Sequence, residues 1–280
     1  MEKKRVVVTG ATGVIASKLL PDLGERYELV LVDKKNTNPS GAAVDGVVFA
    51  DFLDRDRSHY REIFADAHAV IHSGFVRSED PEHRFWAELD NVAMAYNVYQ
   101  SCVEANVRRA VVISSNHAAD FYEQLILDGS LLSIGPETPP RSDNFYGWAK
   151  IAYEALGFVF ACGRINDGRP LANVQVRIGA PRETDIEGAN EGDVKKMHRD
   201  LGAYISLRDE VQLITRSIEA ETIDDEWGIP FQIVYGVSGN TCNFWSIENA
   251  RRVLGYEPED DAMNRFADHV GRILGLSPSE

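Results

Sequence analysis

The sequence predicts an α/β fold in which a doubly wound parallel sheet carries helices on both faces. Three observations carry this. Short β-branched runs alternate with longer helical stretches from Arg5 to Arg177. The glycine-containing turn Gly10-Ala-Thr-Gly13 joins the first such run to the first helix. Asp33 closes the second run, about 20 residues beyond the glycines.

Taken in order, Arg5–Thr9 reads as the first strand and Val14–Leu23 as the first helix. Glu28–Val32 is the second strand and Val47–Ala50 the third. Arg55–Ala65 reads as helical, and Ala69–His72 as the fourth strand. Pro81–Ala105 is a long helix with proline in its first turn, where the missing N–H costs nothing. Ala110–Ser114, the helix Asp143–Arg164 and the strand Leu171–Arg177 complete the alternation. Residues 179–200 are charged, contain glycine and show no clean period, which predicts a long functional loop. A helix over Leu207–Glu219 and a strand over Phe231–Tyr235 return to the sheet pattern, followed by a short helix over Ser246–Leu254 capped by Ser246. The expected division is 1–177 for the nucleotide-binding part and 178–280 for a substrate-binding loop and C-terminal part, with 207–236 rejoining the sheet.

Composition excludes several function classes. The chain has 280 residues, 44 acidic against 29 basic, for a net charge of −15. Such a surface repels nucleic acid and anionic lipid, so neither is an expected partner. An anionic small molecule would need local arginines. The cysteines, Cys102, Cys162 and Cys242, are odd in number and far apart. That fits a reduced cytoplasm and supports neither a disulfide framework nor a zinc site. The basic start, Glu2-Lys-Lys-Arg5, is followed by only three valines before Thr9, too short for the apolar core of a signal peptide. No apolar run approaches the ~18 residues needed to cross a bilayer.

Gly10-x-x-Gly13-x-x-Ala16 stands at the first strand–helix junction. Small residues there let the backbone turn tightly and approach a pyrophosphate, whose charge rests on the helix N-terminus. The reading is a Rossmann-like dinucleotide site with Gly10, Thr12, Gly13, Val14 and Ile15 on the phosphates. Gly74 and Asn91 are further candidate cofactor contacts. A carboxylate at Asp33 accepts ribose hydroxyls and repels a 2′-phosphate, which favours NAD over NADP, although Lys34 and Lys35 follow it. Asp51 and Phe52, after the third strand, suit an adenine contact.

Tyr146 and Lys150 are four apart on a predicted helix, hence on one face. A free tyrosine is a poor base at neutral pH, and a neighbouring ammonium favours its phenolate. Moving a pKa by three units takes roughly 4 kcal/mol. Ser114 and Ser115 end the fifth strand at the carboxyl edge, where such sheets bind ligands. The long helix from Pro81 is apolar around most of its circumference, with Phe85, Trp86, Leu89, Val92, Met94, Tyr96, Val98, Tyr99 and Val103. That predicts a partner surface, hence a homodimer.

With these pieces in order, the chain resembles the extended short-chain dehydrogenase/reductases of the NAD-dependent epimerase/dehydratase superfamily. The residues that carry the likeness are Thr9-Gly10-Ala-Thr-Gly13-Val-Ile-Ala16, Ser114-Ser115 and Tyr146-Gly-Trp-Ala-Lys150. Ser114-Ser115-Asn116-His117, Arg177-Ile-Gly179, Arg199-x-x-x-x-Tyr204-Ile-Ser206 and Val234-Tyr-Gly-Val-Ser238 are most similar to uronate dehydrogenases and haloarchaeal NAD-dependent glucose-6-phosphate dehydrogenases. The resemblance implies an oxidoreductase of carbohydrate metabolism that oxidises an anionic aldose at C1 to its lactone, with NAD and no metal. It implies Ser115, Tyr146 and Lys150 as the catalytic group, Asn116 and His117 on the sugar, and Arg199 on the anion. Arg77 is an extra cation where those enzymes carry small residues, and Leu125–Pro140 is an inserted loop. The rival readings are a nucleotide-sugar epimerase or dehydratase, which keeps its NAD, and a non-enzymatic NAD-sensing regulator. The roughly 100 residues after the sixth strand are few for seating a nucleotide sugar, and regulators on this fold commonly lack a Tyr/Lys pair.

Overall fold

Seven parallel strands form one sheet in a computed structural model that describes residues 2–276. The strands are β1 (Arg5–Thr9), β2 (Glu28–Asp33), β3 (Val48–Phe49), β4 (Ala69–His72), β5 (Arg109–Ser115), β6 (Asn173–Ile178) and β7 (Phe231–Gly236). The helices are α1 (Ala16–Arg26), α2 (Arg84–Glu104), α3 (Phe121–Leu127), α4 (Phe145–Ala161), α5 (Thr184–Glu187), α6 (Val194–Ala203), α7 (Leu207–Glu219), α8 (Glu248–Leu254), α9 (Ala262–Arg265) and α10 (Ala267–Ile273).

The strand order is β3-β2-β1-β4-β5-β6-β7. The chain runs outward from β1 to β3, then returns to β4 on the other side of β1. That reversal opens a crevice at the carboxyl ends of β1 and β4, where doubly wound sheets take their ligands. Alternation along each strand sorts the core. Val6, Val8, Val111 and Ile113 join one layer with Leu19, Leu213 and Ile214. Val7, Val70, Ala110 and Val112 join the other with Val98, Tyr99 and Tyr153. Strands apolar on both faces are what a sheet covered on both sides requires.

Several elements differ from the expectation. Residues 55–65 form two short 3₁₀ turns, because Asp54 and Asp56 accept nearby backbone N–H groups and divert the chain from an α-helix. The third strand is only two residues long. The expected loop over 179–200 contains α5 and most of α6. Asp193 caps α6 on Lys196, and Met197 and Leu201, one turn apart, reach a small separate core with Phe266, Val270 and Ile273. Charges on the outer face had hidden that period. Within Leu125–Pro140, α3 ends at Leu127 and Ile134 bridges to Trp245. Helix α8 starts at Glu248, and Ser246 makes only a long 3.4 Å contact to its N–H.

Candidate active site

A cavity of ≈ 1460 Å³ runs across the carboxyl ends of β1, β2, β4, β5 and β6. One end is the glycine turn. Gly10 has φ +68°, and a Cβ there would come within 2.6 Å of the Gly74 and Ser73 backbone, so only glycine lets these two loops meet. Gly74 is tight for its own reason: a Cβ would meet Met94 Sδ at 2.7 Å. Helix α1 has no side-chain cap at its N-terminus, which leaves that end for an anion. Gly13, Val14 and Ile15 line the wall beside it.

Asp33 holds this turn in shape. Its Oδ2 accepts from Thr12 N at 3.0 Å and from Thr12 Oγ1 at 2.7 Å, and its Oδ1 accepts from Lys34 N at 2.7 Å. A carboxylate has lone pairs to spare beyond these for ribose hydroxyls. Lys34 is turned to Asp51 at 2.9 Å, so its charge is met locally, and the lysine holds the Asp51 carboxyl below its ordinary value. Asp51 and Phe52 line the same end. Glycine cradle, uncapped helix and strand-tip acid together fit a dinucleotide with a free 2′-hydroxyl. Asn91 is off the cavity wall. It clasps the loop after β4, with Oδ1 accepting from Val76 N and Nδ2 donating to Val76 O, both at 2.8 Å.

The other end brings together Ser115 from β5, and Tyr146 and Lys150 from α4. Asn144 sets the start of α4 by capping Gly147 at 2.9 Å, so Tyr146 lies in the first turn and Lys150 one turn on. Ser114 and Ser115 divide their duties by strand alternation. Ser114 donates to the buried Glu154, which pairs with Arg177, while Ser115 caps the turn after β5 through His117 N at 3.2 Å. Lys150 is 4% exposed, donates to Ile113 O at 3.0 Å, and lies 5.5 Å from the Tyr146 ring. Burial lowers its ammonium to about 8, against the pull of Glu88 and Glu154.

Tyr146 departs from the expectation that Lys150 lowers its pKa. Burial raises the phenol; Ser115 and Arg182 oppose that rise, and Glu88 and Asp120 add to it. His117 packs its ring against Tyr146 at 5.4 Å and meets Asp120 through Nδ1 at 2.5 Å. His72 is buried against Thr9, and burial pulls its pKa down to about 3.

Two candidate sugar contacts lie off the cavity wall. Asn116 is buried under the turn after β5, with Nδ2 unpartnered. Arg199, on α6, is drawn to Glu123 of α3, its Nε 3.3 Å from both carboxylate oxygens, and to Asp200 at 3.7 Å. Its charge is already met. The cavity's own arginines are Arg77, Arg84 and Arg182. Arg77 is exposed and paired with Glu79, and Arg182 with Asp185. Glu88, Phe75, Trp148 and Arg182 also line the wall, and no motif in the sequence marks them. For Glu88 the available signal was a lone acid inside the apolar run Phe85-Trp-Ala-Glu88-Leu.

Among the described residues no helix is long and apolar enough to cross a membrane, and no cluster of metal-ligating side chains is present. The NAD-dependent glucose-6-phosphate dehydrogenase of Haloferax volcanii is 29% identical over 277 residues, covering 92% of this chain and 94% of that protein. The L-arabinose 1-dehydrogenase (NAD(P)(+)) of the same organism is 26% identical over 268 residues, covering 92% and 97%. The crystal structure of uronate dehydrogenase from Agrobacterium tumefaciens superposes with a TM-score of 0.73 and 26% identity, over 100% of this chain and 92% of that one. The model of the NAD dependent epimerase/dehydratase family matches residues 6–161, and the chain belongs to that family of NAD-using enzymes.

Proposed function

We propose that the chain oxidises an anionic aldose (a uronate, a sugar 6-phosphate or a sulfo-sugar) at C1 to its 1,5-lactone. The observation that carries this is the meeting of Ser115, Tyr146 and Lys150 at one end of a cavity whose other end is the glycine turn and Asp33. The glucose-6-phosphate and uronate dehydrogenases to which the chain is similar support the anionic class, whereas the similar L-arabinose 1-dehydrogenase is named for a neutral aldose.

Ser115 holds the reacting oxygen by its hydroxyl. Tyr146 takes the C1 hydroxyl proton as general base. Lys150, fixed on Ile113 O, keeps positive charge beside the phenol and would hold the ribose of bound NAD. When bound, NAD supplies the acceptor for the hydrogen and electron pair leaving C1. His117 lines the sugar end, and Arg182 and Arg77 offer charge to the anion. A neutral aldose is the second reading, and the Glu123–Arg199 pair favours it, because it removes one cation from an incoming anion.

The deciding experiment follows NADH absorbance with a uronate, a sugar 6-phosphate, a sulfo-sugar and a neutral aldose side by side. NADH accumulating in solution with a charged sugar supports the reading. No NADH release, with NAD retained through turnover of a nucleotide sugar, sinks it in favour of an epimerase.

The same reading includes a homodimer and a cytoplasmic location. Helix α2 leaves Trp86, Leu89 and Tyr96 exposed along one stripe, and the neighbouring α4 leaves Trp148, Phe158 and Val159 exposed. Two such helices offer an apolar face that a second copy would cover. Leu89→Glu should convert a dimer of 31.2 kDa chains to monomer in sedimentation; a wild-type monomer refutes the dimer. Three free cysteines, Cys102, Cys162 and Cys242, support the reducing compartment.

A further inference from the structure

Two pieces of chain around Tyr146 meet at one largely buried carboxylate. Asp120 closes the 3₁₀ turn Asn116–Ala119 after β5, and its side chain is only 14% exposed. Its Oδ2 faces His117 Nδ1 at 2.5 Å and accepts from Asn144 Nδ2 at 2.8 Å. Asn144 uses its own Oδ1 to cap α4 on Gly147 N at 2.9 Å, so its amide nitrogen needs acceptors; Asp143 Oδ1 at 3.0 Å is the other. The backbones here press together as closely as the side chains: a Cβ at Gly147 would come within 2.1 Å of His117 O. His117 N donates to Ser115 Oγ at 3.2 Å. The His117 ring lies 5.4 Å from that of Tyr146, as does the ring of Phe75. His117 therefore stands beside both groups that would meet the C1 oxygen, and its ring lines the cavity.

An ionised carboxylate only accepts hydrogen bonds, so the Nδ1 that faces Asp120 carries a proton. In the neutral ring Nε2, on the edge away from Asp120, is then a bare acceptor. On the sugar oxidation proposed above, we infer that Asp120 is a positioning residue: it locks His117 in this form, so that Nε2 accepts from the sugar's C2 hydroxyl and sets which way the ring lies at C1. The chemistry of the sugar makes the choice. Within the ring, C1 is bonded to C2 and to the ring oxygen. The C2 hydroxyl has a proton to donate, and the ring oxygen has none. A bare Nε2 therefore pairs with the C2 side and turns the ring oxygen away. The other tautomer, with its proton on Nε2, would pair with either side. Through Asn144 the same carboxylate holds the first turn of α4, which keeps Tyr146 in place against His117. The substrate class narrows to aldoses with a free hydroxyl at C2.

The test sets glucose 6-phosphate, glucuronate and glucose each beside its 2-deoxy analogue. Asp120→Asn keeps the size and an oxygen for Asn144 but frees the His117 tautomer. One neutral hydrogen bond is worth roughly 2- to 13-fold in kcat/KM. The preference for the 2-hydroxy sugar should shrink by that order in Asp120→Asn and equally in His117→Ala. Adding Asp120→Asn to His117→Ala should shrink it no further. A second readout needs neither sugar nor NAD. In nitrogen NMR of the histidine rings, the signal missing from His117→Ala should show the Nδ1–H form in wild type, and the Nε2–H form should gain in Asp120→Asn. A wild type in the Nε2–H form overturns the proposal, as does a tautomer that Asp120→Asn leaves unchanged. Asp120→Asn slowing both sugars of a pair equally overturns it too, because the carboxylate then only supports the fold. Wild type inactive on every sugar condemns the functional reading instead, and the spectrum still decides whether Asp120 holds the ring.

Discussion

Tyr146 carries a burial penalty that its neighbours only partly offset. Its phenol stands above the ordinary tyrosine value, so as a base it should give a rate of sugar oxidation that climbs with pH through the neutral range. Tyr146→Phe keeps the ring against Phe75 and His117 and removes only the titrating oxygen. Turnover should fall by about 10²–10⁴, with NAD affinity retained in calorimetry; near-normal turnover would exclude Tyr146 as the base. The anion contact is testable in the same way. Hydrogen bonds to a charged group are worth ~1.5–3 kcal/mol, roughly tenfold to 150-fold in kcat/KM. Arg182→Ala should narrow the preference for a charged over a neutral sugar by that order. Arg199→Ala, whose charge Glu123 already meets, should lower both sugars alike. If Arg199→Ala alone collapses the preference, the arginine leaves Glu123 for the substrate. Tyr146, Lys150, Ser115 and Asp33 were legible because fixed spacing and strand-end placement announce them. Glu88, Arg182 and the Glu123–Arg199 pair were not, because they meet across α2, α3, α6 and the loop after β6, and no local pattern encodes such meetings.

At the scale of elements, strands and helices with one clear period were read closely, and those with mixed demands were not. Strands β1, β4 and β5 are largely apolar runs bounded by turns, and β6 alternates Val174, Val176 and Ile178 with the buried polar Asn173, Gln175 and Arg177. Helix α6 was lost because its period is carried by two apolar residues amid charge. Helix α4 illustrates what the period cannot say, namely how close a helix lies to its sheet. Gly157 sits where a Cβ would meet Gln175 Nε2 at 2.5 Å and Asn173 Oδ1 at 2.8 Å. Asn173 donates to Gly157 O at 3.0 Å, and Gln175 donates to Tyr99 OH at 2.8 Å, so the polar layer under the helix cannot shift freely. Alanine ordinarily stabilises a helix interior relative to glycine. Here overpacking should outweigh that gain. Gly157→Ala should lower stability by about 1–3 kcal/mol in denaturant unfolding and reduce kcat as well, since the same helix carries Tyr146 and Lys150. A variant as stable as wild type would mean the helix has room to move.

For the whole molecule, the parallel sheet and the acidic balance were both readable, but the consequence of burying single charges was not. Glu210 on α7 is 1% exposed, and neither of its carboxylate oxygens has a hydrogen-bond partner. Burial lifts its pKa from 4.5 to about 8, with Lys18 offsetting only part. Between those values the folded protein keeps a proton that the unfolded chain has lost, so stability falls as pH rises. His72 acts with the opposite sign. Burial lowers it from 6.5 to about 3, so the unfolded chain holds the extra proton and stability rises with pH across that window. The two oppose each other from 4.5 to 6.5, and from 6.5 to 8 Glu210 acts without that counterweight. Asp200 and Glu88, also raised by burial, pull in the same direction as Glu210. Above about 8 the lowered Lys150 reverses the trend, because it is then the unfolded chain that holds more protons. One proton corresponds to about 1.4 kcal/mol per pH unit, so the fall from 6.5 to 8 amounts to ~2 kcal/mol. That is about 3–5 °C in melting temperature for a chain of this size. Glu210→Gln keeps the volume and removes the titration. Its melting temperature should exceed that of wild type at pH 8 and should lose most of the decline over this interval. If its curve of melting temperature against pH runs parallel to that of wild type, Glu210 is ionised in the fold and the burial penalty is met by some other means.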